Sequence, residues 1–189
     1  MQQRSGSCTV PWGAAKDEEL VAACLKRMLE CGGLRSLTLG QLSWKTLSPV
    51  LRHEVALAFG ATVQGQVRNE VVHGVDRGHT LRCLTLENVL DVPIAFLSTL
   101  PTLSELTLKQ TTFSCKSDEE VDRYCKATPN LRSLTYDKGV LTNFYNDADA
   151  MLFSRLEKLD LLEVGKGVDM HTADMFLSAT NGTLTALSL

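Results

Sequence analysis

Residues 81–86 read LRCLTL and residues 103–108 read LSELTL. Working outward, the same Leu-x-x-Leu-x-Leu pattern stands at Leu34/Leu37/Leu39, Leu131/Leu134/Tyr136, Leu156/Leu159/Leu161 and Leu184/Leu187/Leu189, with Tyr136 replacing one leucine. From Leu81 onward the pattern restarts about every 22 to 28 residues, and the step from Leu34 to Leu81 is roughly twice as long. The second and third leucines are two apart, so a strand turns both to one face and turns the residues beside them to the other. One strand cannot bury that face alone. Strands stacked in parallel, each returning through a helix or loop of roughly 15 to 20 residues, share one apolar interior.

The intervening segments fit that demand. Asp17 to Glu30 places Leu20, Val21, Cys24, Leu25, Met28 and Leu29 on one helical stripe, and Gly32-Gly33 suits its C-terminal end. Ser48-Pro49 opens a second helix with Val50, Leu51, Val55 and Leu57 as its apolar positions. Pro93 to Leu100 and Asp169 to Ala179 read as shorter helices. Ser117-Asp118-Glu119-Glu120 has the spacing of a capping box, with Val121, Tyr124 and Cys125 following it, and Thr128-Pro129-Asn130 resets the chain for the next strand. The long first interval reads as an insertion at 61–79 in preference to a degenerate repeat, because Gly60 to His79 is polar and glycine-rich and has no strand template. The organisation expected is an N-terminal extension at 1–16 followed by one repeat array at 17–189, with the first helix capping its N-terminal end.

The six-fold strand pattern resembles the leucine-rich-repeat superfamily, nearest to its irregular, ribonuclease-inhibitor-like intracellular members, over residues 17–189. That resemblance implies an α/β solenoid with a parallel concave sheet and a helical convex side. The chain departs from the family in one place. The family carries Asn or Cys three residues after the last strand leucine, where the side chain satisfies backbone groups at the turn. Here those positions are Leu42, Val89, Thr111, Gly139 and Val164, so the turns must be satisfied by other groups.

On such an array the outward positions form the concave surface. Its central column reads Thr38, Thr85, Thr107, Thr135, Asp160 and Ser188, edged by Glu87, Glu105, Lys109, Asp137 and Lys158. The threonines alone say little, since β-branched residues favour exposed strand positions whatever the function. The acidic edge points to a protein partner with basic groups, although Lys109 and Lys158 dilute it. The expected site is therefore a partner-binding face made of Thr38, Thr85, Glu87, Glu105, Thr107, Lys109, Thr135, Asp137, Lys158 and Asp160.

Composition bounds the rest. The chain has 189 residues, 44% of them hydrophobic, and its 19 basic and 22 acidic side chains leave a net charge of −3. No long run of one sign offers a footprint for nucleic acid or an acidic membrane. Met1 to Gly13 lacks the apolar stretch of a signal peptide, and no later segment is long and apolar enough for a bilayer. The six cysteines fall at irregular intervals, as reduced thiols do in the cytoplasm or nucleus, which is the compartment expected. His53, His73, His79 and His171 show no metal-ligand spacing and read as surface side chains. Cys115 and Cys125 are too far apart for a redox pair, and the glycines form no phosphate loop. A Cys83, His79 and Asp91 triad can be written on paper, as it can for almost any chain of this size. Asn181-Gly182-Thr183 matches a glycosylation acceptor, but Asn-Gly suits a helix end equally well.

No enzyme, metal or cofactor is expected, and the function expected is that of a protein-binding scaffold or adaptor. The alternatives are substrate recognition within a ubiquitin ligase, which some proteins with such arrays perform, or a repeat module of an enzyme whose catalytic domain lies outside these residues. Leu184, Leu187 and Leu189 complete the last strand pattern with no covering helix after them. The expectation there is an edge continued by further repeats or covered by self-association.

Overall fold

The computed structural model describes residues 6–10, 18–30, 34–64, 81–114, 119, 121–137, 151–162, 178, 180 and 182–188. The chain is an α/β protein built on a parallel sheet. Its strands are β1 (Gly6–Val10), β2 (Leu34–Ser43), β3 (Cys83–Leu90), β5 (Glu105–Lys109), β7 (Ser133–Asp137), β8 (Lys158–Leu162) and β9 (Ala186–Ser188), paired in that order in one seven-stranded sheet. Between them lie α1 (Glu18–Glu30), α2 (Pro49–Ala58) and α3 (Ile94–Leu97), with 3-10 turns at Trp44–Thr46, Val121–Arg123 and Met151–Phe153. A second, two-stranded parallel sheet joins β4 (Val92–Pro93) to β6 (Phe113–Ser114) in the return segments.

The register follows the leucine motif. Leu37, Leu84, Leu106, Leu134, Leu159 and Leu187 are successive Cα partners across six strands. The first five are buried, and together with the leucine that opens each motif from Leu34 to Leu156 they form the spine of a single core. Trp44 and Phe96 fill that core behind β2 and β3, their ring centroids 4.4 Å apart.

The backbone shows that the repeats are structural equivalents. The carbonyl of Arg82 accepts from Ser104 N and Glu105 N at 2.9 and 3.0 Å, and that of Ser104 accepts from Arg132 N and Ser133 N at 2.8 and 3.0 Å. Arg132 does the same for Glu157 and Lys158, and Glu157 for Thr185 and Ala186. Strands β5, β7, β8 and β9 therefore each start by hooking two amides onto one carbonyl of the preceding repeat, a link that fixes the register at the strand entrance. A left-handed residue recurs as well. Gln41, Asn88 and Gln110, each two residues past the third leucine of a motif, have φ of 57°, 55° and 48°. In β2 and β3 it interrupts the strand, whose pairing resumes at Leu42 with Val89 and Ser43 with Leu90, and after β5 it follows the last strand residue, at some conformational cost for the two glutamines.

At one of the five positions where the resemblance implies Asn or Cys, a threonine hydroxyl bonds the backbone, and two further threonines link consecutive repeats. Thr111 is fully buried, and its hydroxyl is shared between the carbonyls of Leu86 at 3.0 Å and Lys109 at 3.1 Å. Thr102 and Thr183, each just before a motif leucine, reach back to the first leucine of the preceding repeat. The Thr102 hydroxyl lies 2.8 Å from Leu81 O, and that of Thr183 lies 2.7 Å from Leu156 O. Carbonyls at the turns thus meet a donor without an Asn ladder.

Several sequence expectations change. Strand β1 lies within the stretch read as an extension, and it covers the free edge of β2. In α1 the buried positions are Glu18, Ala22 and Leu25, while Leu20 is 64% exposed and Met28 and Cys24 face solvent. The helix is rotated from the expected stripe because the Glu18 carboxylate accepts the backbone N–H of Ser48, tying the start of α1 to the start of α2. In α2 the Ser48 hydroxyl accepts from Leu51 N and Pro49 takes the first turn, so the helix starts as expected. Leu51, Val55, Ala56 and Ala58 are buried there, whereas Val50 is exposed. It ends at Gly60, φ 80°, where Gly60 N meets Leu57 O and Ala61 N meets Ala56 O. A Cβ at Gly60 would come within 3.2 Å of the Thr102 methyl, so the next return segment also needs glycine here.

Residues 61–64 open the stretch read as an insertion, and they are anchored. Val63 bridges Tyr124, Gln64 N donates to Arg123 O at 2.7 Å, and Cys125 N donates to Thr62 O at 2.8 Å. The remainder of 61–79, the capping-box Ser117, Asp118 and Glu120, and nearly all of the helix expected at 169–179 lie outside the described residues. Beyond that capping box Val121 and Tyr124 are buried, but Cys125 is exposed. His53 is not a surface side chain: it is half-buried, with Nδ1 2.7 Å from the Tyr124 hydroxyl. His73, His79 and His171 are outside the described residues.

Candidate functional site

Strand alternation turns every second side chain away from the leucine core, and the parallel register lines these residues up in rows. The central row runs Thr9, Thr38, Thr85, Thr107, Thr135, Asp160 and Ser188 as successive Cα partners. All six residues of the expected column are in it, and β1 contributes Thr9, which the motif search missed because residues 6–10 contain no leucine. Thr38, Thr85, Thr107 and Thr135 are half-buried, so short hydroxyl-bearing side chains coat the middle of the face from β2 to β7, and Asp160 follows them in β8.

The flanking rows carry the charge. Toward the strand starts, Cys83, Glu105, Ser133 and Lys158 are partners, and toward the ends Glu87 lies opposite Lys109. Glu87 and Glu105 are exposed. The Asp137 backbone pairs with Leu162 in the same tier of the sheet. Asp160 has lost its independence: its Oδ2 is 2.9 Å from Lys158 Nζ and accepts weakly from the Thr135 hydroxyl at 3.5 Å. Of the acidic positions named from the sequence, Asp160 is thus committed within the face, and Lys158 with it. A like-signed strip is broken into local pairs. Cys83 is held protonated, its thiol pushed up to about 11 first by burial and then by the charge and hydrogen bond of Glu105.

One feature of the face was passed over in the sequence. The residue after the first leucine of the motif is Arg35, Arg82, Ser104, Arg132, Glu157 and Thr185 in turn, and all but Ser104 are exposed. The hooked amides bring consecutive members of this series together: Arg82 N donates to Arg35 O, and Arg132 NH1 lies 3.3 Å from Glu157 Oε1. Exposed arginines therefore stand at three of the six strand entrances, Arg35, Arg82 and Arg132, with Arg132 paired to Glu157. Aligning the six motifs and reading their second column would have revealed it.

Of the Cys83, His79 and Asp91 triad, only Cys83 and Asp91 are described. Asp91 is engaged by Lys45 at 2.9 Å, and His79 is outside the described residues. Among the described residues no group of three or more His, Cys, Asp or Glu side chains is placed to hold a metal ion, and no helix is long and apolar enough to cross a membrane. Comparison with family models, with curated proteins and with solved structures finds no match to the chain.

Proposed function

We propose that this chain is a leucine-rich-repeat solenoid that acts as a non-enzymatic binding module, docking another protein on the concave face of its parallel sheet. The observation that carries the proposal is the unbroken central row from Thr9 to Ser188. At the usual strand spacing seven strands span roughly 30 Å, a width on the scale of a folded partner's contact surface. The small hydroxyl side chains of Thr38, Thr85, Thr107 and Thr135 let a partner approach closely and hydrogen-bond along the row. Specificity then falls to the two charged margins. Exposed Arg35 and Arg82 at the strand entrances favour acidic groups, while Glu87, Glu105 and Asp137 favour basic ones, so the partner carries both signs in a fixed orientation.

The test uses a photocrosslinking residue at Thr107 on the sheet face and, separately, at Val50 on the exposed side of α2. Crosslinking from position 107 alone, abolished by the combined reversal Glu87→Lys, Glu105→Lys and Asp137→Lys in a chain that keeps its melting profile, supports the docking face. Capture from position 50 that survives the triple reversal overturns it.

A further inference from the structure

Most charges on the sheet face are answered where they stand. Arg132 is paired with Glu157 at 3.3 Å and Lys158 with Asp160 at 2.9 Å, and Glu87 lies opposite Lys109 in the register. The entrances of β2 and β3 differ. Arg35 and Arg82 stand there side by side: Arg82 N donates to Arg35 O at 3.1 Å, and the two strands run on in register from Ser36 opposite Cys83. Both side chains are exposed, and among the described residues neither forms an ion pair.

Neighbouring strands lie about 4.8 Å apart, so two guanidinium groups leave the backbone at that spacing and repel each other. The next strand does not relieve them. Ser104, which holds the equivalent place before β5, is uncharged. Glu105 hooks its amide onto Arg82 O at 3.0 Å, but its carboxylate takes the hydrogen bond of the Cys83 thiol and makes no ion pair with Arg82. The pair therefore keeps its positive charge, whereas Arg132, further along the same series, already has a carboxylate.

Two unanswered guanidinium groups select both the charge and the shape of a ligand. A carboxylate carries a single charge and is satisfied by one guanidinium fork. A phosphodiester also carries a single charge and leaves half of the pair unanswered. A phosphate monoester carries about −1.5 to −2 near neutral pH and has three acceptor oxygens, enough to lie between two forks and answer both. We infer that Arg35 and Arg82 together recognise a phosphorylated serine or threonine side chain on the protein that docks on the sheet face. This inference rests on the docking proposed above and narrows it, because it names the acidic group that meets the entrances of β2 and β3.

The test supplies that group on a minimal carrier. The full chain, labelled with nitrogen-15, is titrated at low ionic strength with capped pentapeptides that place phosphoserine, serine or glutamate between two pairs of glycines, and with a thymidine hexanucleotide as the phosphodiester. The phosphoserine peptide is expected to move the Arg35 and Arg82 resonances saturably with a Kd of about 1 mM, the strength of exposed charge-assisted contacts without further surface. The serine peptide is expected to move neither, and the glutamate peptide and the hexanucleotide to bind roughly fivefold more weakly or worse. Arg35→Gln and Arg82→Gln, both at exposed positions, are each expected to weaken the phosphoserine peptide about fivefold. Arg132→Gln is expected to change it less than about twofold, because Glu157 already holds that side chain. Arginine resonances unmoved by the phosphoserine peptide, equal binding of the glutamate peptide or the hexanucleotide, or an equal loss from Arg132→Gln would each overturn the inference. The docking face is read separately by the crosslink from position 107, so a phosphoserine peptide that fails while that crosslink stands removes this inference alone.

Discussion

Leu134 in β7 and Leu187 in β9 hold the same place in the same motif and lie on one register row, yet Leu134 is 0% exposed and Leu187 is 49% exposed. Both alternate correctly and both join the sheet by the same hooked amides. They differ in their neighbours. Strand β7 has β5 on one side and β8 on the other, whereas among the described residues β9 is paired on one side alone. A motif leucine is thus half of a burial site, and the strand that follows supplies the other half. In stacked repeats the energy of each unit resides largely in its interfaces.

The largest test of this contrast removes the two side chains. Leu134→Ala is expected to cost about 2 to 5 kcal/mol, because it empties a closed core site. Leu187→Ala is expected to cost about 1 kcal/mol or less, since half of that side chain never leaves water. Denaturant unfolding of the two variants checks it. Equal losses would mean that β9 is covered on its open side in solution, which would itself locate an interface.

A second test moves from leucines to hydroxyls. Thr111→Val leaves the buried carbonyls of Leu86 and Lys109 without their side-chain donor and is expected to cost about 1 to 3 kcal/mol. Thr185→Val removes a comparable bond, from the Thr185 hydroxyl to Glu157 O at 3.0 Å, at an exposed position where water can replace it. Its cost is expected to fall below about 0.5 kcal/mol, as for ordinary surface changes. Equal effects would show that Thr111 does not substitute for the missing asparagine.

The smallest effect concerns a thiol. Cys83, on the sheet face, is pushed from 9.0 to about 11, whereas Cys24 and Cys125 are exposed on other surfaces. Near pH 8 its thiolate fraction is lowered roughly 100-fold relative to an unshifted thiol, so iodoacetamide is expected to label Cys24 and Cys125 first. The sign for folding follows. Between pH 9.0 and about 11 the unfolded chain loses this proton while the folded chain keeps it, so the contribution of Cys83 to stability declines across that window. Glu105→Gln should bring the labelling of Cys83 forward. Mass mapping of alkylated peptides reports both, and early labelling of Cys83 in the parent chain would contradict the shift.

Much of the sheet was legible before any coordinates. From β2 to β9 the motif located every strand of the main sheet, and it placed Thr38, Thr85, Thr107, Thr135, Asp160 and Ser188 in one row, because the two-residue alternation of a strand is local and depends on nothing else in the chain. Strand β1 was not legible. Gly6–Val10 has no leucine and joins the sheet only because β2 offers an open edge. The charges of the site were legible as residues but not as partners: the Lys158 to Asp160 pair and the Arg132 to Glu157 pair form only once the strands and their entrances stand side by side.

What the sequence by itself determined is the strand repeat: which side chains face inward, which row each outward one joins, and where each return begins. These follow from backbone geometry acting over a few residues. Tertiary structure decided the rest. It chose Ala22 and Leu25 over Leu20 and Met28 as the buried face of α1, because Glu18 is drawn to the Ser48 amide at the start of α2. It gave the Thr111 hydroxyl the carbonyls of Leu86 and Lys109, brought His53 onto Tyr124 and left the Trp44 N–H buried without an acceptor among the described residues. A helix rich in apolar residues can bury any of several overlapping stripes at similar local cost, and a buried polar group is judged only by what surrounds it, so both outcomes wait on contacts between segments far apart in the chain.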